Sequence, residues 1–352
     1  MGIAKKKTRV HMLPWARRRD LAKFLATAGA LDCVLAGDRC AVKIHFGEKG
    51  NDGYIRPELV KPVIDLIRKK KAAPFLTDTC TIYHGPRNNA IGHLAIAAEH
   101  GFTIEALGAP VIIADGMRGT EHCDVEVRGR HFSKVKIGSA IREADSIVVL
   151  SHFKGHLLTG FGGAIKNLGM GCGARIGKFE MHSCASPTYV EKLCTACGAC
   201  EEACAHGAAK VGTKRASINL SLCVGCGECV VACPTGALTI TWSEGAREVQ
   251  ERMAEYAVGA ADGKRLAFVN FINHVTPNCD CLSKGERSMV PDIGILASAD
   301  PVAIDQASFD LVLKAAGGDV FEEAHPGIDG TIQLAAAEEL GLGRRRYELV
   351  QI

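Results

Sequence analysis

Five short, mainly apolar runs along the chain predict buried β-strands. They span residues 41–46, 111–114, 146–150, 266–272 and 293–297. Runs of this length without polar alternation are typical of strands that are covered on both faces. The pattern therefore predicts a parallel sheet in the core of the protein, with helices packed against both of its faces.

Apolar residues at helical spacing occupy several of the intervals between these runs. Residues 57–70 begin with Pro57 and end in basic residues, which suits the first turn and the dipole of a helix. Residues 87–100 carry the same periodicity, and residues 300–315 start at Asp300, a residue type favoured at the N-cap. Strands that alternate with helices in this way predict an α/β fold with an open, mainly parallel sheet.

A cysteine-rich block interrupts this alternation and contains an internal repeat with a period of 29 residues. The first copy comprises Cys194, Cys197, Cys200 and Cys204, and the second comprises Cys223, Cys226, Cys229 and Cys233. The strand and helix pattern resumes after Trp242. We therefore predict a discontinuous α/β host domain, residues 1–186 plus 244–352, into which residues 187–243 are inserted as a smaller domain.

Each copy has the spacing C-x2-C-x2-C-x3-C, which resembles that of bacterial ferredoxins with two [4Fe–4S] clusters. The resemblance implies that three cysteines of one copy and the last cysteine of the other hold each cluster. Cluster one would be held by Cys194, Cys197, Cys200 and Cys233, and cluster two by Cys223, Cys226, Cys229 and Cys204. Structural zinc is the rival interpretation, but its four ligands commonly come as separated pairs. The insertion is thus predicted to be an α+β two-cluster ferredoxin-like domain that transfers electrons.

The segment that follows the run 146–150 concentrates basic side chains and glycines. Its candidate catalytic residues are His152, Lys154, His156 and Lys166, and its candidate ligand-binding glycines are Gly160, Gly162, Gly163, Gly169 and Gly171. In open α/β sheets, ligands bind beyond the carboxyl ends of the strands, where this segment begins. The alternative is that the glycines only allow a tight loop to pack against the insertion.

Two further cysteines, Cys279 and Cys281, flank an aspartate just after the run 266–272. Three interpretations remain open for this pair. With His152 and His156 the thiols could hold a third metal, they could form a redox thiol pair, or they could be small buried residues. Further candidates are less distinctive and could equally belong to charged surface loops or the core: Lys43, His45, Glu48, Lys49 and Cys80.

Composition limits the cellular compartments in which the protein is expected. The chain has no run of 18 or more apolar residues, so we expect no membrane span. Sixteen cysteines with tight C-x2-C spacing indicate metal binding in a reducing compartment, and we expect a cytoplasmic protein. The basic N-terminal segment, which includes Arg9 and Arg17, is interpreted as a solvated tail rather than as an arm for nucleic acid.

Four segments around the insertion resemble one family. They are "KIHFGEKG", "SHFKGHLLTGFGGAIKNLGMG", "CDC" and "SADPVAIDQAS", and the chain resembles the iron–sulfur centre proteins of domain-of-unknown-function family 362 over most of residues 40–315. The resemblance implies iron–sulfur binding but names no reaction.

Three functional hypotheses follow from the sequence. The first is an iron–sulfur oxidoreductase, supplied by a redox partner protein, whose host site takes a small anionic substrate because His and Lys outnumber acids in the glycine-rich segment. The second is a non-enzymatic electron carrier or redox sensor that docks on a larger enzyme. The third is delivery of a cluster or metal, which would require exposed ligands.

Overall fold

The structure is a computed structural model that describes residues 7–83, 85–182, 187–204, 206–223, 228–240, 245–281 and 285–352. Its strands, in chain order, are β1 (Thr8–Pro14), β2 (Arg39–Lys43), β3 (Ala73–Asp78), β4 (Val111–Ile113), β5 (His122–Glu126), β6 (Lys134–Gly138), β7 (Ser146–His152), β8 (Lys154–His156), β9 (Gly160–Gly162), β10 (Pro187–Tyr189), β11 (Ala209–Val211), β12 (Ala216–Ile218), β13 (Leu238–Ile240), β14 (Arg265–Ile272), β15 (Gly294–Ser298) and β16 (Tyr347–Gln351). Its α-helices are α1 (Leu21–Thr27), α2 (Pro57–Lys69), α3 (Ala90–Glu99), α4 (Ile104–Leu107), α5 (Ser139–Glu143), α6 (Ala164–Cys172), α7 (Arg175–His182), α8 (Ala199–Glu202), α9 (Glu228–Ala232), α10 (Ala246–Ala261), α11 (Pro301–Ala316), α12 (Val320–Ala324) and α13 (Thr331–Glu339). Short 3-10 helices lie at Trp15–Asp20, Pro86–Asn88 and Glu191–Leu193.

Eight of these strands form one sheet in the order β16-β1-β15-β14-β7-β2-β3-β4. Strands β14, β7, β2, β3 and β4 pair in parallel, and β16 is parallel to β1. Only β15 runs in the opposite direction to its neighbours β1 and β14 in this sheet. The prediction of an α/β fold with a mainly parallel sheet is confirmed, and the sheet contains strands from both sides of the cysteine-rich block.

The central strand β7 shows why these sequences lack polar alternation. Ile147 and Val149 lie in one hydrophobic core, with side chains of α6, α10 and α11. Val148 and Leu150 lie in the other, with side chains of α1 and α2. Because successive residues of a strand point to opposite faces, a sheet covered on both sides requires apolar residues at every position.

The predicted helix boundaries agree with the structure to within a few residues. Helix α11 begins as its sequence suggested, because the Asp300 carboxylate accepts hydrogen bonds from the amides of Val302 and Ala303, each at 2.9 Å. Pro57 opens α2, where a missing amide hydrogen has no cost. Helix α3 starts slightly later than predicted, after the 3-10 turn Pro86–Asn88.

Two expectations about the fold are wrong. The run 293–297 does form a strand, β15, but it is antiparallel to β14, so the sheet is not purely parallel. The segment after residue 7 is not a solvated tail, because Thr8–Pro14 pairs with both β15 and β16 inside the sheet. Val10 and Leu13 are fully buried there, and this short strand was missed because polar residues separate its apolar ones.

The described part of the cysteine-rich block folds as two similar halves. Strand β10 pairs with β13, β11 pairs with β12, and α8 packs against α9. Cys200 is the second residue of α8, and Cys229 is the second residue of α9. The repeat in the sequence therefore corresponds to a repeat in the backbone, while the domain limits at 187 and 243 stay a prediction.

No helix in the described ranges is long and apolar enough to cross a membrane.

Replacing residues 187–243 by a short glycine–serine linker should leave the host sheet folded, because the β10–β13 register places Pro187 opposite Ile240 and so brings the two ends together. We expect cooperative thermal unfolding with a Tm lowered by about 10 °C or less, since Ile82 and Phe179 lose apolar contacts. Circular dichroism measures both properties. Removal of residues 265–272, a central strand, is the control that should abolish folding. A linker variant that unfolds without cooperativity would show that the block belongs to the host core.

Candidate functional site

The candidate site lies where the neighbouring parallel strands β2, β7 and β14 end. The loops after β7 and β14 are tied together, because Phe153 N donates to Phe271 O at 2.9 Å and Gly155 N donates to Thr276 O at 2.8 Å. A Cβ atom on Gly155 would lie 2.0 Å from Pro277 O, so only glycine allows this approach. The parallel register therefore brings the histidine-rich and cysteine-containing loops to one edge of the sheet.

Asp280 is the anionic centre of this edge and is 1% exposed. Its carboxylate lies 2.8 Å from His152 Nδ1 and 3.0 Å from Lys154 Nζ. Its backbone carbonyl accepts a 2.7 Å hydrogen bond from Asn51 Nδ2, which fixes the turn. Burial alone would raise the pKa of Asp280, but the neighbouring His152 and Lys154 outweigh it and hold the pKa well below its ordinary range. Asp280 is therefore a buried carboxylate that fixes two of the predicted site residues.

Cys281 accepts hydrogen bonds from several donors, which include the Tyr83 hydroxyl. His45 Nε2 lies 3.3 Å from its Sγ atom, Arg87 Nη2 lies 3.4 Å away, and the Cys279 thiol donates a hydrogen bond to it. The proton of His45 is on Nε2, because its Nδ1 accepts a 3.1 Å hydrogen bond from Gly47 N. The Cys279 hydrogen bond first, and then His45 and Arg87, hold the pKa of Cys281 well below that of a free thiol, against the effect of burial. The same hydrogen bond and then burial raise the pKa of Cys279 well above it.

A second buried carboxylate, Asp78 at the end of β3, organises the cations beside the thiols. It lies 3.0 Å from Lys43 Nζ and 3.6 Å from both Arg87 Nη1 and His93 Nε2. Burial would raise the pKa of Asp78, but Lys43, His93, His45 and Arg87 together lower it well below its usual range. Arg87 also pairs with Glu48 at 2.9 Å, so one guanidinium contacts two carboxylates and the Cys281 sulfur.

Lys166 and His156 complete the set of predicted catalytic residues. Burial first, and then the Lys166 charge, lowers the pKa of His156 well below its ordinary value. His156 Nδ1 accepts from the amides of Leu158 and Thr159 at 3.2 and 3.3 Å. The positive charge of Lys166 acts to lower the pKa of Cys279, but the hydrogen bond to Cys281 and burial raise that pKa by more. His156 and Lys166 therefore interact electrostatically with Cys281 and Cys279, respectively.

The remaining candidates lie apart from this centre or have packing roles. Lys49 is exposed. Cys80 is buried, and burial followed by Asp115 raises the pKa of its thiol, as expected for a structural cysteine. Sequence reasoning missed Asp78, Arg87 and His93. Asp78 ends strand β3, which is not among the five predicted runs, and no local pattern distinguishes Arg87 or His93 from other polar residues of their segment.

Most of the candidate glycines have close neighbours in the protein itself. A Cβ on Gly163 would lie 2.3 Å from Asp305 Oδ1, and one on Gly169 would lie 2.2 Å from Met253 O. Corresponding approaches are 2.6 Å to Gly330 Cα for Gly160 and 2.7 Å to Lys43 Nζ for Gly171, while Gly162 has a looser contact of 3.1 Å with Lys166. The Asp305 carboxylate also accepts from Ala164 N and Ile165 N at 2.7 and 2.8 Å, so the first amides of α6 are already satisfied. Ligand binding by these glycines stays a prediction, and packing explains why most of them are glycines.

The possible third metal gains no support from the side chains around Cys279. His152 uses both ring nitrogens, because Nε2 lies 2.7 Å from Asn273 O while Nδ1 contacts Asp280. Within the described ranges, no group of three or more His, Cys, Asp or Glu side chains is arranged around a single metal ion. The geometry favours a hydrogen-bonded thiol pair over a metal site at this position.

Four cysteines of the cysteine-rich block surround one cavity. Cys194, Cys197, Cys200 and Cys233 line this small cavity together with Tyr189. These are the four cysteines that the ferredoxin resemblance assigns to cluster one, and they come from both copies of the repeat. Of the cluster-two set, Cys204, Cys223 and Cys229 are described, whereas Cys226 lies outside the described residues.

The block contacts the host close to the thiol pair. Ile82 and Phe179 of the host pack in one hydrophobic cluster with Cys200 and Cys229. Ile82 directly precedes Tyr83, whose hydroxyl is hydrogen bonded to Arg87. A short series of contacts therefore joins the cysteine-rich block to the guanidinium that contacts Cys281.

Comparisons with known proteins support the family named in the sequence analysis, and the iron–sulfur binding that the resemblance implies stays a prediction. The family model described as "Domain of unknown function (DUF362)" matches residues 40–310. A search of curated proteins gave no match. Among solved structures, the lactate racemase apoprotein from Thermoanaerobacterium thermosaccharolyticum is 11% identical with a TM-score of 0.45, over 88% of this chain and 60% of the other. A structural-genomics protein from Thermotoga maritima is 10% identical with a TM-score of 0.39, over 85% and 58%. The chain thus spans about 60% of the length of these structures, and similarity this low carries no functional argument.

Asp78→Asn should destabilise the protein by about 3–5 kcal/mol, because it leaves Lys43 and Arg87 buried without their shared carboxylate. Since the pKa of Asp78 is lowered, its stabilisation is present above the ordinary carboxyl pKa and is lost as the pH falls below about 4. Urea unfolding at pH 7 and at lower pH measures both effects.

The matched control is Asp65→Asn, which removes a half-exposed carboxylate paired with Lys61 on α2. It should change the stability by less than about 0.5 kcal/mol. Equal losses in the two variants would contradict the central role of Asp78.

Proposed function

The chain belongs to the DUF362 family, and we propose that it is an iron–sulfur oxidoreductase in which two [4Fe–4S] clusters exchange electrons with the strand-end site of the host. The observation that carries the proposal is the shared cavity of Cys194, Cys197, Cys200 and Cys233. Three of these thiols come from the first copy of the repeat and one from the second. This crossed arrangement is the one that a two-cluster ferredoxin requires.

The donor set fits a cluster better than a single ion. A cube binds one thiolate at each of four corners and so spaces them more widely than one ion does. The described cysteines form no group around one ion, yet four of them face one cavity. The segment is also rich in amides directed at sulfur, since Ala196 N lies 3.4 Å from Cys194 Sγ and Ala209 N lies 3.4 Å from Cys204 Sγ. Such hydrogen bonds tune the potential of a bound cluster.

A bound [4Fe–4S] cluster supplies one-electron transfer. The residues of the host supply the other requirements of a reaction site. Asp280 holds Lys154 and His152 at the edge of the sheet, and Cys281 presents a sulfur with lowered pKa beside Arg87. A small anionic substrate would be oriented by Lys154 and Lys166. These features favour an enzyme over a simple carrier, which needs no buried charged site.

A second function, that of an electron carrier or redox sensor, is supported by the surface of the cysteine-rich block. Four large apolar residues of this block are 41–58% exposed, namely Val190, Leu193, Leu220 and Leu222. Exposed apolar residues next to candidate cluster ligands suit a transient contact with a redox partner protein. The same surface serves the oxidoreductase, because its clusters must exchange electrons with a partner as well.

Anaerobically purified or reconstituted protein should contain about eight iron and about eight sulfide ions per chain, the content of two cubes. Inductively coupled plasma mass spectrometry and a colorimetric sulfide assay give these numbers, and electron paramagnetic resonance of the dithionite-reduced protein should show reduced clusters. A stoichiometric amount of bound zinc, with little iron, would contradict the proposal.

Cys204→Ala should remove about half of the iron, because it deletes one ligand of cluster two and leaves the four cysteines of the described cavity intact. Cys123→Ala, at a partly buried thiol in the hairpin strand β5, is the matched control and should keep the full iron content. Selective loss of the cluster held by the Cys194 loop would show that the crossed assignment is incorrect.

A further inference from the structure

The C-x-C turn after β14 separates its side chains into two environments. The central Asp280 contacts His152 and Lys154, while Cys281 contacts His45 and Arg87. Cys279 is hydrogen bonded to Cys281, so the two sulfurs adjoin one another. The turn is fixed at its centre by the Asp280 contacts, which makes this proximity a property of the folded host.

The two thiols differ in the way that a reactive pair requires. Every polar neighbour of the Cys281 sulfur named above is a donor, so the sulfur is placed to carry a negative charge. Cys279 is 7% exposed and retains its proton as one of those donors. A thiolate next to a protonated thiol is the arrangement of a nucleophilic cysteine and a resolving cysteine.

Cysteines that only fill the core have the opposite character. Cys40 and Cys172 are fully buried, and burial raises the pKa of each to about 12. No such cysteine has a guanidinium and an imidazole N–H directed at its sulfur in the described part of the chain. The contacts of Cys281 therefore exceed what packing needs, and the occupied ring nitrogens of His152 argue against a metal as the reason for them.

We infer that Cys279 and Cys281 form a reversible dithiol–disulfide couple, and that it is the two-electron redox group of the host site. In the oxidation, the Cys281 thiolate and the Cys279 thiol form one S–S bond and release one proton and two electrons. His45 and Arg87 act as positioning residues, because they stabilise the thiolate and keep it next to its partner. The inference rests on the proposed function only for the electron acceptor, which is a one-electron iron–sulfur centre. Two such centres can accept the two electrons that the thiol pair releases.

The location of the pair suits this exchange. Arg87 contacts Cys281 and, through Tyr83 and the adjoining Ile82, the hydrophobic cluster that contains Cys229. A redox group at this point adjoins both the strand-end site of the host and the cysteine-rich block. The couple would convert single electrons into the electron pairs that most two-electron substrates need.

The test is a redox titration of the full-length protein in buffers of reduced and oxidised dithiothreitol, which need no iron. After alkylation, trypsin releases residues 266–284, a peptide whose only cysteines are Cys279 and Cys281. We expect a reversible two-electron transition in which this peptide escapes alkylation and has a mass about 2 Da below that of the unmodified dithiol peptide. If both thiols remain alkylatable at every potential, the inference is overturned.

The role of His45 is tested by the alkylation rate of Cys281 as a function of pH. His45→Ala should slow iodoacetamide alkylation at pH 7 about tenfold, because one donor to the thiolate is lost. His45→Gln offers an amide donor at a similar reach and should recover most of the rate. A rate that is the same in His45→Ala and the wild type, or alkylation of Cys279 before Cys281, would overturn the assigned roles.

The iron assay separates the two proposals. A dithiothreitol-dependent disulfide in protein without bound iron supports the couple and rejects the iron–sulfur function. Full iron content without the disulfide supports the clusters and rejects the couple. The double variant Cys204→Ala and Cys233→Ala should lose iron and still show the two-electron transition, since neither residue contacts the turn at 279–281.

Discussion

Buried charge at the carboxyl ends of the parallel strands is the constraint on which the host site depends. An unpaired ion in the interior costs several kcal/mol, so each buried cation there needs an anionic partner. Asp78 forms ion pairs with Lys43 and Arg87, and Asp280 forms an ion pair with Lys154. Parallel strands make this pairing possible, because they deliver residues distant in sequence to a single edge. The carboxylates therefore determine where the basic side chains lie, and with them the position of the thiols.

Arg87 joins the two halves of this charge network. Its guanidinium contacts Asp78 and Glu48 and also lies 3.4 Å from the Cys281 sulfur. An arginine suits this place better than a lysine, because its planar group offers five donors in several directions and keeps its charge when buried. The thiol is thus held by the same side chain that neutralises the neighbouring carboxylates, and the chemistry of the sulfur is coupled to the stability of the strand ends.

Much of the fold and part of the site could be predicted from the sequence. Strand β7 was predictable because both of its faces are buried, which leaves a continuous apolar run. Strand β1 was not, because its exposed positions are polar and its pairing with β15 is set by distant residues. The direction of β15 left no local signal either. His152, Lys154, Cys279 and Cys281 were found since they directly follow predicted strands, whereas Arg87 depends on contacts formed only in the folded chain.

The spacing of the C-x-C motif explains how three adjacent residues serve two purposes. With one residue between them, both thiols can contact each other while the side chain of Asp280 is directed to His152 and Lys154. More than one residue between the two cysteines would let the sulfur atoms move apart. A neutral residue in place of Asp280 would leave Lys154 without its carboxylate partner. Since Asn51 also holds the carbonyl of Asp280, the turn cannot shift without breaking the ion pairs beneath it. The electrostatic support of the sheet edge therefore fixes the geometry of the sulfur pair.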